Sequence, residues 1–284
     1  MNPGYLFLAL HIVAAVSFGH VMKWAMRRGC ELVAVGGVNY VFASATCLTV
    51  ALIAASPPLT LDGWGAGLLG GLSYVVSYFF FYQAIRLTGV GVSSAVNRLS
   101  VLPAVVASIF IWGERPAAHQ IVGIILVLVA LPLLSQQPGD KSARLAGPVW
   151  GWLLALFLTT SGGAIAAKLS QEAGNPLAKP LLLGVWFAAA AIVAIAALVI
   201  QHRRPTRDDI RLGVILGFVN VVGNFSLLTA LDTLPGAVVF PAASAGGVLV
   251  VVVSSWLLWG ERLGRPALAG SLVAIPALVL MNLP

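Results

Sequence analysis

Residues 112–116 read Trp-Gly-Glu-Arg-Pro, and residues 259–263 read Trp-Gly-Glu-Arg-Leu, so four consecutive residues recur after 147 positions. Each copy follows a long apolar stretch and precedes another, in which Gly123 is matched by Gly270. Chance likeness between apolar segments is a poor explanation for an identity that includes an acid and a base. The sequence therefore indicates an internal duplication.

Composition indicates that lipid covers most of the chain. Hydrophobic residues make up 60% of it, charged residues 9%, and the mean hydropathy is +0.99. A soluble domain carries about 25% charged residues, so these few charges cannot cover a water-facing surface. The net charge of +7 comes from Lys and Arg in short gaps between apolar runs, as in loops at a membrane surface. We therefore expect no nucleic-acid partner.

The apolar runs predict an all-α membrane protein, because about 20 apolar residues span a bilayer. Turn residues at 56–58, 87–89, 114–116, 138–141 and 202–209 separate the runs. The ten predicted transmembrane helices cover 5–25, 33–55, 64–86, 90–113, 118–135, 148–169, 179–201, 212–231, 236–259 and 266–283.

The longest polar gap divides the chain into a five-helix repeat at 1–140 and a second at 141–284, which together form one membrane domain. Five is an odd number, so the second repeat enters the membrane from the opposite side. Two inverted repeats are typical of carriers that work by alternating access.

This plan, with Gly113-Glu114-Arg115 and Gly260-Glu261-Arg262 after the fourth helix of each repeat, resembles the EamA-type transporters of the drug/metabolite transporter superfamily. The resemblance covers nearly the whole chain. It implies a ten-helix secondary carrier or exporter of small metabolites, with a central cavity lined by helices 1–4 and 6–9. It names no substrate.

Arg98 is the most informative single residue, because it lies well inside the fourth predicted helix. A cation near the bilayer centre costs about 2.5–3.5 kcal/mol and therefore faces protein or water. The sequence contains no acidic residue deep in any predicted helix. An anionic substrate group is one candidate partner, since guanidinium binds carboxylate bidentately. The alternative is a structural bond to carbonyls at a helix end.

Other polar residues lie in stripes inside the predicted helices. Around Arg98, the residues Ser93, Asn97 and Ser100 share one face, which lines a wet cavity or joins two helices. The third helix carries Tyr74 and Tyr78, and the matching positions of the eighth helix are Asn220 and Asn224. We expect these stripes to bind substrate; the alternative for the tyrosines is ordinary packing and interfacial anchoring.

His11 and His20 lie in the first predicted helix. Histidine titrates near neutral pH, so His11 is a candidate proton carrier; the alternative is a packed, hydrogen-bonded side chain. Glu114 and Glu261 lie at helix ends beside Arg115 and Arg262, where ion pairing and capping explain them best.

The sequence thus predicts a secondary transporter, an exporter or exchanger of a small metabolite such as an amino acid or another carboxylate. The alternatives are a flippase for lipid-linked small groups and, less favoured, a membrane-embedded enzyme, since no catalytic motif is present. We expect no enzyme activity, cofactor or metal.

The partners are a small-molecule substrate and the lipid bilayer, and the protein is a monomer or weak homo-oligomer. The expected location is the plasma (inner) membrane of a bacterium. The distribution of Lys and Arg predicts both termini outside the cytoplasm, whereas the family resemblance suggests cytoplasmic termini.

The candidate substrate-binding residues are Arg98, Asn97, Tyr74, Tyr78, Ser93, Asn224, Asn220 and His11.

Overall fold

The computed structural model describes residues 2–134, 148–173, 175–259 and 265–281, and no strand occurs in these ranges. A single 3₁₀ turn, Pro176–Ala178, precedes α7. The α-helices are α1 Pro3–Arg27, α2 Leu32–Ile53, α3 Leu61–Leu99, α4 Leu102–Phe110, α5 Ala118–Leu134, α6 Pro148–Glu172, α7 Lys179–Ile200, α8 Arg207–Leu231, α9 Gly236–Trp259 and α10 Arg265–Met281.

Seven helical segments within the described ranges are long and apolar enough to cross a membrane. They are Pro3–Arg27, Leu32–Ile53, Leu61–Thr88, Val92–Phe110, Val149–Glu172, Pro176–Ile200 and Arg207–Leu231. Shorter apolar helices lie at Ala118–Leu131, Gly236–Val251 and Leu268–Met281. Large apolar side chains are exposed on many of these helices, for example Leu52, Phe218 and Leu272. A protein surface of this kind is stable in lipid and not in water, so the chain is an integral membrane protein.

The first of two compact units comprises Met1–Val75 and Ala166–Thr233. In it, α1 packs against α8, and α2 packs against both α7 and α8. Part of its core is formed by Ala25, Val35, Leu212 and Leu216, which are almost completely buried. Small residues on α2 and α8 permit a close approach, since a Cβ on Gly213 would stand 2.6 Å from the Cβ of Val38.

The second unit comprises Val76–Ile165 and Leu234–Pro284. In it, α5 packs against α10, and α9 packs against α4, α5 and α10. A separate apolar cluster joins Ala84 of α3 to Leu153 and Leu156 of α6. Both α3 and α6 contribute residues to each unit.

Each unit therefore takes helices from both halves of the sequence. Three of the packed pairs, α2 with α7, α4 with α9 and α5 with α10, join helices at equivalent positions of the two predicted repeats. The repeats themselves, at 1–140 and 141–284, and their inverted orientation stay predictions. The second copy of the signature, Gly260-Glu261-Arg262, lies outside the described residues.

The helix break predicted at 87–89 is wrong, because α3 continues through it to Leu99. The Thr88 hydroxyl donates a hydrogen bond to the Ala84 carbonyl one turn earlier, 2.9 Å away, so a polar residue is accommodated inside the helix. The chain turns instead at Ser100 and Val101. Pro103 then lies in the first turn of α4, where its missing N–H has no helical partner to lose.

Helix α8 begins at Arg207, five residues earlier than the predicted start at 212. Thr206 and Asp209 form a capping box, in which each side chain accepts from the other residue's backbone N–H. Such a box satisfies two otherwise unpaired N–H groups. The span estimate, which followed hydrophobicity alone, missed this first polar turn.

Candidate functional site

A line of hydrogen-bonded polar side chains, which we term the amide chain, crosses the first unit through Tyr74, Asn224, Asn220 and Asn39. The Tyr74 hydroxyl donates to Oδ1 of Asn224 at 2.6 Å. The Asn224 amide donates to Oδ1 of Asn220 at 2.7 Å and to the Asn220 carbonyl at 2.9 Å. The Asn220 amide donates to Oδ1 of Asn39 at 3.3 Å. Three helices, α3, α8 and α2, are thereby joined through polar groups inside an apolar unit.

Two glycines allow α3 to approach α7 closely below Tyr74. A Cβ on Gly71 would stand 2.1 Å from the Trp186 carbonyl oxygen, and one on Gly70 would stand 2.3 Å from the Trp186 ring. Side chains larger than glycine at positions 70 and 71 would prevent this approach. One turn along α3, the Tyr74 ring meets the Trp186 ring edge-on, with centroids 5.4 Å apart.

His11 reaches the same region of the first unit from α1. Its Nδ1 lies 2.8 Å from the carbonyl oxygen of Gly223, the residue before Asn224. A carbonyl oxygen accepts only, so Nδ1 carries the hydrogen. The structure therefore brings four of the predicted site residues, His11, Tyr74, Asn220 and Asn224, into one unit.

Arg98 belongs to the second unit and lies in the last turn of α3. It is half-buried, and one guanidinium nitrogen lies 3.6 Å from the place where a Cβ on Gly247 of α9 would stand. The Arg98 side chain makes no ion pair or hydrogen bond with any residue that the structure describes. Its position at a helix C-terminus favours a cation through the helix dipole.

Glu114 is the acidic residue that the structure describes in this second unit, and it is engaged elsewhere. Its two carboxylate oxygens accept from the backbone N–H groups of Gly236 and Ala237, at 2.9 and 2.8 Å, at the start of α9. The capping role predicted for Glu114 is thus confirmed. Gly247 lies about 16 Å further along α9 at 1.5 Å per residue, so this carboxylate does not neutralise Arg98.

The polar face beside Arg98 is hydrogen-bonded to α6. The Thr160 hydroxyl donates to Oδ1 of Asn97 at 3.0 Å, and the Ser161 hydroxyl donates to the Ser100 carbonyl at 2.9 Å. Ser93 is fully buried, and its hydroxyl lies 3.0 Å from that of Thr88 in the same helix. Asn97 and Ser93, both predicted to bind substrate, therefore have protein partners.

Five buried side-chain polar atoms have no hydrogen-bond partner among the described residues, and two of these atoms belong to tyrosine and tryptophan side chains. They are the Tyr78 hydroxyl, in the second unit, and the Trp186 indole N–H, in the first. An unpaired buried donor destabilises a fold by about 1–3 kcal/mol. Such groups are suited to binding a polar ligand.

Lysine side chains are buried with carboxylates in the first unit. Lys179, at the start of α7, forms an ion pair with Asp232 at the end of α8. Lys168 contacts Glu172 one turn along α6, at 2.8 Å. In the described ranges no three His, Cys, Asp or Glu residues come together in a way that could hold a metal ion.

Asn39, Thr160 and Trp186 take part in these networks and were not among the predicted site residues. Asn39 carried a signal, because it is a lone amide within the apolar run 32–53, and polar residues inside membrane helices are costly and functional. Thr160 and Trp186 carried none, since their roles depend on contacts between distant helices.

Comparison with known proteins finds a family match in the first part of the chain. Residues 2–136 match the EamA-like transporter family. An uncharacterised protein of Haemophilus influenzae is 24% identical over 213 residues, which cover 73% of this chain and 72% of that protein.

A solved crystal structure of another protein superposes with a TM-score of 0.81 at 12% sequence identity. The match covers 99% of this chain and 97% of the other, and it is a likeness of fold alone. Residues 2–136 are thus similar to the EamA-like transporter family of the drug/metabolite transporter superfamily, whose members are membrane transporters of small solutes.

Proposed function

We propose that this protein is a secondary transporter of a small anionic metabolite, such as an amino acid or another carboxylate, in the plasma membrane of a bacterium. It exports or exchanges its substrate by alternating access of two inverted repeats. One observation carries the proposal: Arg98 holds a guanidinium group inside the apolar helices without an acidic partner among the described residues.

The chemistry of Arg98 favours an anionic group. The free energy of burying the guanidinium, about 2.5–3.5 kcal/mol on insertion scales, is recovered when a carboxylate binds it in two parallel hydrogen bonds. Gly247 supports this role, because it leaves the space beside the guanidinium free of a side chain.

The amide chain of the first unit is a separate candidate binding surface. Amide and hydroxyl groups orient a ligand through hydrogen bonds without adding charge, and the Tyr74 and Trp186 rings offer an apolar surface beside them. A small metabolite with polar and apolar atoms suits this surface. The unpaired indole N–H of Trp186 is one more donor for it.

Two observations favour alternating access by repeats. The family match at residues 2–136 coincides with the first predicted repeat. In addition, α2 packs against α7, α4 against α9 and α5 against α10, so helices at equivalent repeat positions meet. Such pairing is expected when a duplicated unit packs against its copy.

The test is counterflow in liposomes that contain the purified protein. The liposomes are preloaded with unlabelled L-amino acids and dicarboxylates, and uptake of each labelled compound is measured for wild type, Arg98→Ala, Arg98→Lys and Arg86→Ala. Arg86 is the matched control, since it is an exposed arginine of the same helix whose guanidinium stacks on Tyr82.

We expect Arg98→Ala to abolish counterflow and Arg98→Lys to raise KM, because lysine keeps the charge and loses the two-pronged geometry. Arg86→Ala should transport like the wild type. Circular dichroism and size-exclusion profiles check that each variant is folded. Unchanged transport by folded Arg98→Ala would refute the anion site.

A further inference from the structure

A cavity of about 610 Å³ lies at one end of the first unit, between the connection of α1 to α2 and the connection of α7 to α8. It is lined by Gly29 and Glu31 from the first connection and by residues 202–204, Thr206 and Asp209 from the second. The transport site proposed above uses none of these residues.

The two helices that lead into the cavity end in the same backbone motif. Gly29 follows the end of α1 with a φ of 70°, and His202 follows the end of α7 with a φ of 52°. In each case the N–H of the next residue donates to a carbonyl five positions earlier, which closes the last helical turn. A Cβ on Gly29 would meet nothing within 4 Å, so the cavity is open on this side.

The two carboxylates that line the cavity already have partners. Asp209 is buried, and it accepts from the backbone N–H and the hydroxyl of Thr206 and from the backbone N–H of Glu31. The Glu31 carboxylate in turn pairs with the Arg203 guanidinium at 3.6 Å. These carboxylates therefore hold the two connections together.

Arginines outnumber acids in the two connections and the adjoining helix ends. Residues 27–31 and 203–211 contain six arginines and three carboxylates. The third carboxylate, that of Asp208, lies 4.0 Å from a guanidinium nitrogen of Arg28 and 4.0 Å from one of Arg211. This end of the unit therefore carries an excess of positive charge after every acid has been paired.

Arg204 and Arg207 supply part of that excess. Both side chains are exposed, and neither makes an ion pair or hydrogen bond with a residue in the described part of the chain. Arg204 lines the cavity, and Arg207 is the first residue of α8, directly after the cavity residue Thr206. Guanidinium groups bind phosphate through two parallel hydrogen bonds, so the cavity is suited to a phosphate group.

The cavity lies where the apolar surface of the helices ends. Val199 and Ile200, the last residues of α7, are exposed apolar side chains, and the cavity residues begin two positions later. Trp24, in the last turn of α1, is also exposed, and the Arg28 guanidinium lies over its ring at 4.6 Å from the centroid. Tryptophan is enriched at the boundary between lipid and water. A phosphate in the cavity therefore has a lipid-facing apolar surface beside it.

We propose that this cavity binds an anionic phospholipid of the surrounding bilayer, whose phosphate is held by Arg204 and Arg207 and whose acyl chains lie on Val199 and Ile200. Basic pockets at the membrane-surface ends of helices bind anionic headgroups through the same chemistry. A soluble anion would use the same arginines and would gain nothing from the apolar residues. The proposal is independent of the proposed transport function.

The test is native mass spectrometry of the full chain in detergent, which counts the lipids bound to each protein. The protein is titrated with dioleoyl phosphatidylglycerol or with dioleoyl phosphatidylcholine, which have the same acyl chains and differ in headgroup charge. The variants are Arg204→Gln and, as the matched control, Arg211→Gln. Arg211 is an exposed arginine at the same end of the unit that does not line the cavity. Circular dichroism and size-exclusion profiles check the fold.

We expect one phosphatidylglycerol to bind more tightly than phosphatidylcholine. Arg204→Gln should weaken its binding about tenfold or more, the usual effect of losing a hydrogen bond to a charged group, and Arg211→Gln should bind it like the wild type. Equal losses in the two variants would indicate a diffuse attraction to surface charge and would overturn the site. Equal affinities of the wild type for the two lipids would overturn it as well.

A competition with glycerol 1-phosphate distinguishes a lipid from a soluble anion. This compound carries the phosphate of the lipid without acyl chains, so we expect it to leave phosphatidylglycerol bound when the two are present at equal concentration. Displacement of the lipid under these conditions would indicate a soluble-anion site and would contradict the proposal. None of these measurements needs transport, so a failed counterflow assay leaves their outcome unaffected.

Discussion

The Tyr74 hydroxyl begins the amide chain, so its removal isolates one hydrogen bond. In Tyr74→Phe, Oδ1 of Asn224 loses the donor that stands 2.6 Å away. We expect the free energy of unfolding to fall by about 1 kcal/mol, the usual net contribution of such a bond. Thermal unfolding in detergent measures the effect.

Tyr82→Phe is the control for this change, because Tyr82 lies two turns further along α3 and is exposed. Its substitution should leave the unfolding temperature unchanged. Equal losses in the two variants would contradict the amide chain as a stabilising network.

Cys30 lies between α1 and α2, and its pKa is raised from the ordinary value by burial and, next, by the Asp209 carboxylate beside it. A raised pKa leaves less thiolate at a given pH, and thiolate is the reactive form. We expect alkylation of Cys30 by N-ethylmaleimide, measured in Cys47→Ala protein, to be slow at pH 7.5. The rate should still be rising above pH 9.

A rate that reaches its plateau below pH 8.5 would contradict this environment for Cys30. Unfolded protein supplies the reference, since its thiol is free of both burial and Asp209 and should react faster at pH 7.5.

At the scale of single residues, the sequence predicted which polar residues are of interest better than it predicted which residues they contact. The match between the third and eighth predicted helices pointed to Tyr74, Asn220 and Asn224, which lie in one hydrogen-bonded network. The same reasoning did not find that Asn39 ends the chain of bonds or that Trp186 packs on Gly70 and Gly71. Those contacts join residues more than 100 positions apart, and no local pattern encodes them.

At the scale of single helices, the contact of α3 with α7 depends on Gly71. A Cβ there would stand 2.1 Å from the Trp186 carbonyl oxygen, so Gly71→Ala forces the two backbones apart. We expect the free energy of unfolding to fall by about 1–3 kcal/mol, as for other overpacked sites.

Gly65→Ala is the matched control on the same helix, because nothing lies within 4 Å of a Cβ at Gly65. Alanine also favours the helix there by up to about 1 kcal/mol. The unfolding temperature should therefore be lower than that of the wild type for Gly71→Ala and higher for Gly65→Ala. A Gly71→Ala variant as stable as the wild type would contradict the close packing.

The start of α9 depends on Glu114, which accepts from the N–H groups of Gly236 and Ala237. Loss of a helix cap costs about 0.5–2 kcal/mol. We expect Glu114→Ala to lose stability in this range, and Glu114→Gln to lose less, since its amide oxygen still accepts one bond. Thermal unfolding compares both with Arg115→Ala, which should match wild type because Arg115 is exposed.

The helices themselves were largely predictable, since length and hydropathy decide where membrane helices lie. The predicted helix bounds were wrong where polar side chains form hydrogen bonds with the helix backbone. Thr88 and Gly89 suggested a turn, yet α3 passes through them because the Thr88 hydroxyl bonds back to Ala84. Thr206 and Asp209 lengthened α8 through a capping box, which hydropathy does not detect.

At the scale of the whole molecule, the proposed transport function is supported by the family match at residues 2–136 and by seven helical segments able to span a membrane among the described residues. The shared fold at 12% identity shows that this architecture is compatible with very different sequences. In our proposal, the choice of substrate depends on individual side chains, above all on Arg98.

Carrier action is the claim on which the rest of the account depends, and counterflow tests it most directly. Liposomes loaded with an unlabelled substrate should transiently accumulate the labelled form above its equilibrium level. Each carrier that releases unlabelled substrate outside can bind labelled substrate there and carry it inside. Simple equilibration without this overshoot, at a rate independent of preloading, would contradict alternating access and indicate an open pore.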